Sequence, residues 1–466
     1  MTQTSYEQLL TCVGALGRYQ IILLLWFNSV CLVLVGNITF MVFGGRFPLC
    51  YPENSTQNCS DPYFYSVVSE WNLLGERKFI PSLMTSLQMA GVLIGPILSG
   101  QISDRYGRKP TAVAFLVALC SLGLASGFSP SWQIFTAFRI LIGFCFGALI
   151  TVQVILVTEQ LIQKWRLLIL IGAWPLGFIV EALIVILTRH WKWMSVCVNL
   201  SGILALFFTF FITESPKWLL ERGKIKEAKI VLTKIASING TVTSAELNRL
   251  MKDTVLSHNH HSTVTYQYWH LFRNVKAGIE CFVLTIGWAS VSLIFYGLLF
   301  NTEEMAGDPA LNLLLFGLLQ LLVQLIVPAC DRKFKWLGRK FLLLTGWSGC
   351  VLFELAIVAA ILFQLSPVFT TIFAYAGLLC NITAWISLEL YTVELFPTVL
   401  RNMGNALCNT AARIGGILAP QAPLLAFYWR PAPMLIFLVI TVINAALNII
   451  VLPETKGKPL PDLESV

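Results

Sequence analysis

Acidic and basic residues recur in the same order in two parts of this chain, beside long apolar segments, and the chemistry open to them is ion pairing. The first set consists of Asp104, Arg105, Arg108, Glu159 and Arg166, and the second of Asp331, Arg339, Glu394 and Arg401. Basic residues alone would be enough to orient loops on one side of a membrane. Because acids accompany them, we expect a gate whose salt bridges form when the ends of two halves meet and break when they part.

Each set also contains an aspartate close to the start of an apolar segment. A carboxylate at a helix N-terminus accepts the free N–H groups there and is favoured by the helix dipole. The sequence therefore predicts that Asp104 and Asp331 cap the helices that follow them.

A different chemistry is suggested by Arg413, which stands deep inside an apolar segment. A charge in that position is costly and indicates a functional site by default. Its guanidinium would offer two parallel hydrogen bonds to a carboxylate or a sulfate. The alternative is a structural arginine paired with Glu181 or Glu354. If Arg413 and Glu181 both face a cavity, a zwitterion would satisfy them; if Glu181 faces elsewhere, a monovalent organic anion fits better.

The elements that position these residues are predicted to be transmembrane helices. Of the 466 residues, 56% are hydrophobic and 12% are charged, about half the charged share of soluble domains. Apolar windows long enough to cross a bilayer lie near 20–43, 79–102, 110–128, 132–155, 167–187, 192–213, 278–300, 310–330, 341–362, 367–390, 402–427 and 432–452. The sequence therefore predicts an all-α membrane protein of twelve helices in two pseudo-symmetric halves.

The same windows divide the chain into five parts. These are an N-terminal segment (1–19), a first six-helix half (20–213), a polar linker (214–277), a second six-helix half (278–452) and a tail (453–466). Two similar halves in one membrane are the architecture of alternating-access carriers. The linker contains a lysine-rich stretch (224–235) with apolar residues at helical spacing, which predicts an amphipathic helix at the inner membrane surface.

The placement of Lys and Arg predicts the orientation of the chain. Basic loops stay in the cytoplasm, and the basic residues cluster in the loops that share a side with both termini. Both termini are therefore predicted to be cytoplasmic, and no cleavable signal peptide is expected in 1–19. This bias explains the net charge of +8, so nucleic acid is not an expected partner.

The first predicted outer loop (44–78) has features of an extracellular surface. Cys50 and Cys59 lie in it, and an oxidising environment predicts a disulfide between them. Asn54 and Asn58 begin two glycosylation acceptor patterns. Elsewhere no spacing of ligands predicts a metal site, and no nucleophile–base arrangement or nucleotide loop predicts an enzyme or a cofactor.

Several motifs resemble those of a known family. Gly100-x3-Asp104-Arg105-x-Gly107-Arg108-Lys109 is similar to the loop signature of the major facilitator superfamily. Four further segments are similar to the organic cation, anion and zwitterion transporters (solute carrier family 22): Ser69-Glu70-Trp71-Asn72-Leu73, Glu214-Ser215-Pro216-Lys217-Trp218-Leu219-Leu220, the run from Glu394 to Asn402, and the ending from Leu452 to Pro461. The resemblance covers nearly the whole chain and implies the major facilitator fold. The outer loop is much shorter than in that family, and Gly75 replaces an expected cysteine.

The resemblance also implies a set of substrate-binding residues. Cation carriers of the family tend to place Asp where this chain has Arg413, whereas anion and zwitterion carriers place Arg. Pocket-lining positions of the family correspond here to Trp174, Phe295, Tyr296, Asn37, Gln320 and Gln324, with Glu181 as a further candidate. Aromatic walls suit flat organic substrates.

The expected function is that of a secondary carrier, active as a monomer, which moves small organic anions or zwitterions across the plasma membrane. A sugar porter would show paired glutamines in the seventh helix, but the stretch from Cys281 to Asn301 contains none. A cation carrier is disfavoured by Arg413. A sensor without transport activity, built on a carrier fold, is the alternative from another class, and the intact loop motifs argue against it.

Overall fold

The computed structural model describes residues 3–50, 59–60, 63–162, 164–165, 172–241, 271–272, 274–300, 305–334, 337–396, 400–426 and 428–456. Within these residues the chain is almost entirely helical. The first half and the linker contain α1 (Gln3–Cys12), α2 (Arg18–Ile38), α3 (Phe40–Gly44), α4 (Val67–Glu70), α5 (Ile80–Tyr106), α6 (Arg108–Ser126), α7 (Trp132–Thr158), α8 (Ala173–Thr188), α9 (Trp191–Leu200), α10 (Gly202–Thr209), α11 (Pro216–Glu221) and α12 (Ile225–Asn239).

The second half repeats the arrangement. It contains α13 (Val275–Phe300), α14 (Pro309–Lys333), α15 (Arg339–Leu362), α16 (Pro367–Leu395), α17 (Arg401–Leu418), α18 (Ala422–Ala426) and α19 (Ala432–Val451). Within the described residues, ten segments are long and apolar enough to cross a membrane, with α9 and α10 forming one of them. The shorter apolar helix α8 and the more polar α17 complete the twelve, so the predicted fold class is confirmed.

Helix α17 is less apolar than the other membrane-spanning helices because one of its sides is polar. Asn405, Asn409 and Thr410 are exposed on that side, and Arg413 follows one turn later. Asn405, Asn409 and Arg413 follow one another at four-residue spacing and so lie along one side of the helix, and polar and charged side chains facing lipid are costly. We therefore assign the stripe to the space between the two halves, which we call the central cavity.

The two halves touch each other at the end opposite the charged turns, in a contact region that we call the seam. Ser86 of α5 donates to the carbonyl oxygen of Ile417 in α17 (2.8 Å) and accepts from Nε2 of Gln421 (2.7 Å). A methyl group placed on Gly416 would lie 3.7 Å from Sδ of Met89. Arg413, one turn from Gly416, therefore lies where the cavity closes.

A second contact between the halves joins α8 to α14. Gly317 packs so closely on α8 that a methyl group there would lie 3.1 Å from the carbonyl oxygen of Pro175. The ring of Phe178 lies 5.3 Å from that of Phe316 and 6.4 Å from that of Phe295. These rings form an aromatic plug across the two halves.

The first outer loop contains a small antiparallel strand pair. Strand β1 (Leu49–Cys50) pairs with β2 (Cys59–Ser60), and the register places Cys50 opposite Cys59. This backbone register is compatible with the predicted disulfide, although both side chains lie outside the described part of the chain. Asn54 and Asn58 also lie outside it.

An ion pair connects this loop to the start of α9. Nζ of Lys192 lies 2.6 Å from Oε1 of Glu70. Burial opposes ionisation of Glu70, but the hydrogen bond and charge of Lys192 hold the pKa of that carboxyl below its ordinary value. The rings of Trp71, Phe135 and Trp191 pack on one another beneath the pair.

In the linker, α12 covers the stretch that was predicted to be amphipathic. Its apolar side, with Leu232 and Ile235, is buried against the protein. Asn239 accepts from the backbone N–H of Tyr19 (2.9 Å) and donates to the carbonyl oxygen of Val13 (2.8 Å). The helix is therefore docked on the first half.

Candidate functional site

The charged turn of the first half forms a cluster around Arg108. The Arg108 guanidinium pairs with Asp104, and its Nε lies 3.7 Å from Oε2 of Glu159. Ser215 donates its hydroxyl to the same Oε2 (2.5 Å). Burial raises the pKa of Glu159 above its ordinary value.

The second half builds the same cluster around Arg339. Its guanidinium lies 2.7 Å from Oδ1 of Asp331 and 2.8 Å from Oε1 of Glu394. Thr455 donates its hydroxyl to Glu394 (2.7 Å), as Ser215 does to Glu159. Lys456 adds a further ion pair with Asp331 (2.9 Å).

The predicted capping role of the two aspartates is wrong. Asp104 and Asp331 bind side chains, whereas the N-termini of α6 and α15 are capped by Glu214 and Glu454. The capping carboxylates come from the segments that close each half, far away in sequence. The helix N–H groups are satisfied as expected, but by another acid.

The expectation that the gate pairs join the two halves is also wrong. Every pair of the Arg108 and Arg339 clusters lies within one half, and both clusters are formed although the described contacts between the halves, at the seam and between α8 and α14, lie elsewhere. Among ion pairs with both partners in the described residues, none joins the halves. Arg105 is exposed and stacks on Tyr106 (5.4 Å to the ring centre). Arg166 and the side chain of Arg401 lie outside the described residues.

In the cavity, Arg413 lies next to the hydroxyl of Tyr296. No ion pair holds this guanidinium among the described residues, and it is partly exposed. Glu181 is buried and bonded to the hydroxyl of Thr39 in the α2–α3 bend, and Glu354 lies near Thr441 in the second half. Neither proposed acid therefore neutralises Arg413.

Aromatic side chains pack on one another next to Arg413. Tyr296 and Phe295 are both buried in α13, and their ring centroids are 5.3 Å apart. Trp385 of α16 lies 5.8 Å from Phe295 in an edge-to-face arrangement. Trp174, in the first turn of α8, is partly buried against the core.

Two glutamines of α14 follow the plug toward the charged turns. Gln320 and Gln324 lie one and two turns beyond Phe316. Their Oε1 atoms are buried without a hydrogen-bond partner among the described residues. Unsatisfied buried acceptors are costly, so this side of α14 suits a donor from a ligand.

The structure places Asn37 away from the cavity. It is fully buried inside the first half, where its amide donates to Oδ1 of Asn199 (3.0 Å). Its carbonyl oxygen accepts from Gln88 Nε2 (2.8 Å) and from Arg139 Nη1 (3.4 Å). The residue brings helices of one half together.

Sequence reasoning missed two charged residues inside the bundle. Arg139 of α7 is fully buried, with its guanidinium 3.7 Å from the ring centre of Phe40. Glu389 of α16 accepts from the indole of Trp385 (3.3 Å). The rule that identified Arg413, a charge deep within an apolar segment, would have found both residues.

Comparisons with known proteins agree with this architecture. The family described as "Sugar (and other) transporter" matches residues 25–466. Human solute carrier family 22 member 13 is 31% identical over 89% of this chain and 75% of its own length. Rat organic cation/carnitine transporter 2 is 30% identical over 87% of this chain and 73% of its own. The inward-open xylose transporter XylE from E. coli superimposes with a TM-score of 0.71 at 18% identity, covering 96% of this chain and 98% of XylE.

The chain therefore belongs to the sugar (and other) transporter family of the major facilitator superfamily, together with the solute carrier family 22 proteins. It is a multi-pass membrane transporter and not an enzyme.

Proposed function

We propose that this protein is a secondary carrier of small organic anions or zwitterions, acting as a monomer at the plasma membrane with both termini in the cytoplasm. The observation that carries the proposal is the position of Arg413. Its guanidinium is at the closed end of a polar cavity and pairs with no carboxylate among the described residues.

The chemistry of this position favours a negatively charged substrate. A lone positive charge between apolar helices is costly, and a substrate carboxylate would supply the missing counter-ion. Arginine presents a planar fork of donors that matches a carboxylate with two parallel bonds. The hydroxyl of Tyr296 beside the guanidinium supplies a further polar contact.

The cavity walls suit the organic part of such a substrate. Phe295, Tyr296 and Trp385 form an aromatic surface on the second half. Gln320 and Gln324 offer free acceptor oxygens nearby. Apolar walls with few convergent polar groups are typical of small-molecule sites.

The contacts between the halves support alternating access. The charged clusters bind helix ends within each half, so each half can move as one unit. Among the described residues, polar contacts around Ser86 join the halves at the seam, and the aromatic plug joins them between α8 and α14. Opening the seam while the charged ends approach each other would expose Arg413 to the other side of the membrane.

Names of relatives favour a second candidate, an organic cation carrier. Two Drosophila melanogaster proteins named organic cation transporter protein and organic cation transporter-like protein are 29% and 28% identical to this chain. Arg413 disfavours a simple cation, since two like charges would meet in a medium of low dielectric constant. The name of the carnitine-transporting relatives fits a zwitterion equally well.

Uptake by cells that express the full chain would test the proposal. The panel would contain an aryl carboxylate, a sulfate conjugate, a betaine, a quaternary ammonium and glucose. We expect the wild type to take up the carboxylate or the betaine. Arg413→Gln should reduce that uptake by about 10-fold or more, because a charged hydrogen bond is lost. Uptake of only the quaternary ammonium or only glucose, at verified surface expression, would contradict the proposal.

A further inference from the structure

Glu389 is a carboxylate beside the central cavity that neither charged cluster uses. Its Oε1 accepts the indole N–H of Trp385 (3.3 Å), and the side chain is partly exposed. No ion pair holds it among the described residues. A carboxylate in the interior of a membrane bundle is costly without a positive partner, so this position suits a cation that the protein itself does not supply.

A hydrogen bond from Trp385 draws the Glu389 carboxylate toward the side of α16 that packs on α13. Trp385 lies on the same side of α16 as Thr392, seven residues and two turns later, and Thr392 accepts the indole N–H of Trp288 in α13 (3.0 Å). The rings of Trp385 and Trp288 are 5.7 Å apart. Glu389 stands between that side and the exposed Val393 one turn later, and its carboxylate turns to the Trp385 indole.

A continuous aromatic wall connects Glu389 to Arg413. Trp385 contacts Phe295, Phe295 contacts Tyr296, and the Tyr296 hydroxyl lies next to Arg413. The carboxylate and the guanidinium thus lie at the two ends of the same wall. Neither charge neutralises the other directly.

We propose that Glu389 and Trp385 bind the cationic end of a zwitterionic substrate while Arg413 binds its carboxylate. The inference rests on the proposed function and narrows its substrate class to an alkylammonium carboxylate. An indole face beside a carboxylate is a favourable environment for a quaternary ammonium. Such a substrate brings no net charge and gives each lone charge its partner.

The test uses the full-length protein in proteoliposomes and two probes of the same shape. One is a betaine, with a trimethylammonium group and a carboxylate joined by a short alkyl chain. The other is its carbon isostere, in which a tert-butyl group replaces the trimethylammonium group. We expect the KM of the betaine to be about 10- to 100-fold lower than that of the isostere, which corresponds to the free energy of one contact with a charged group.

Substitutions of the residues that bind the cationic end should change the KM of the betaine and not that of the isostere. Glu389→Gln should raise the betaine KM by about 10- to 100-fold and leave the isostere unchanged, so the isostere serves as the control for folding. Glu389→Asp, which keeps the charge, should retain part of the preference. Trp385→Phe should raise the betaine KM a few fold, because the ring remains while its N–H to Glu389 is lost.

Four results would overturn the inference. An equal loss of both probes in Glu389→Gln would indicate a structural role, and no change in either probe would indicate no role. If the wild type took up the isostere in an Arg413-dependent way and showed no preference for the betaine, the proposed site for the cationic end would be refuted. The proposed function would remain intact. Uptake of neither probe by the wild type would refute both.

Discussion

Glu214 and Glu454 occupy equivalent places in the two halves of this carrier. Glu214 Oε1 accepts the backbone N–H groups of Arg108 and Lys109 (3.0 and 3.1 Å). Glu454 accepts those of Arg339 (2.8 Å) and Lys340 (3.1 Å). Each carboxylate binds the N-terminus of the helix whose arginine forms the charged cluster. The same contact between a carboxylate and backbone N–H groups is therefore present in both halves.

Acidification should weaken the second of these contacts. Burial opposes ionisation of Glu454, but the four backbone N–H groups that it accepts hold the pKa of its carboxyl below the ordinary value. A group with a lowered folded-state pKa stabilises the protein above its unfolded pKa of about 4.3 and loses that contribution as the pH falls further. We expect Glu454→Gln to lower the free energy of unfolding by about 1 kcal/mol near pH 7.

The measurement is thermal unfolding of the purified protein in detergent as a function of pH. The difference between wild type and Glu454→Gln should shrink below about pH 4. A difference that stays constant across the whole range would contradict the ionic origin of the contact.

The same two carboxylates lie so close to Gly107 and Gly338 that a larger residue should not fit at either position. A Cβ at Gly107 would lie 2.3 Å from Oε2 of Glu214, and one at Gly338 would lie 2.1 Å from Oε2 of Glu454. Gly107 also has φ +109°, which L side chains rarely adopt. Gly107→Ala should therefore destabilise the protein by about 1–3 kcal/mol, and Gly338→Ala should also be destabilising.

Gly100 provides the matched control. It lies in α5, and a Cβ there would meet no atom within 4 Å. Gly100→Ala should be neutral or stabilise the helix by about 0.5–1 kcal/mol. If thermal unfolding shifted equally in the Gly100 and Gly107 variants, the close approach of Glu214 would not be the cause.

The hydroxyl of Tyr296 should orient the Arg413 guanidinium, but it should not be able to take over substrate binding from Arg413. Removing the hydroxyl in Tyr296→Phe deletes one contact to the guanidinium but keeps the ring in the wall. We expect a KM for the carboxylate substrate up to about 10-fold higher, whereas Arg413→Gln should lose most uptake. Substrate titrations of both variants at equal surface expression measure this, and a Tyr296→Phe defect as large as that of Arg413→Gln would contradict the assignment.

The seam should have to open during each transport cycle. Ser86 and Gln421 lie in different halves, and their side chains are in hydrogen-bond contact (2.7 Å). Ser86→Cys combined with Gln421→Cys should allow a short thiol cross-linker to join the halves. We expect the cross-linked protein to lose uptake, and a cleavable linker to restore it on reduction.

The single-cysteine variants are the controls for the cross-link, because the chain contains twelve native cysteines. They should keep uptake after the same treatment. Unchanged uptake by a fully cross-linked double variant would show that the seam does not move.

The sequence by itself determined the membrane fold and its duplication into two halves of six helices, and it predicted a functional role for Arg413. Those features follow from apolar length, from motif order and from the cost of a charge in an apolar segment, all of which are local properties of the chain.

Only the tertiary structure decided which groups meet. It assigned the caps to Glu214 and Glu454, kept the pairs of Arg108 and Arg339 within single halves, and buried Asn37 away from the cavity. Contacts between distant helices depend on the rotation of each helix about its axis and on the packing of its neighbours. Neither quantity is encoded in the spacing of one segment.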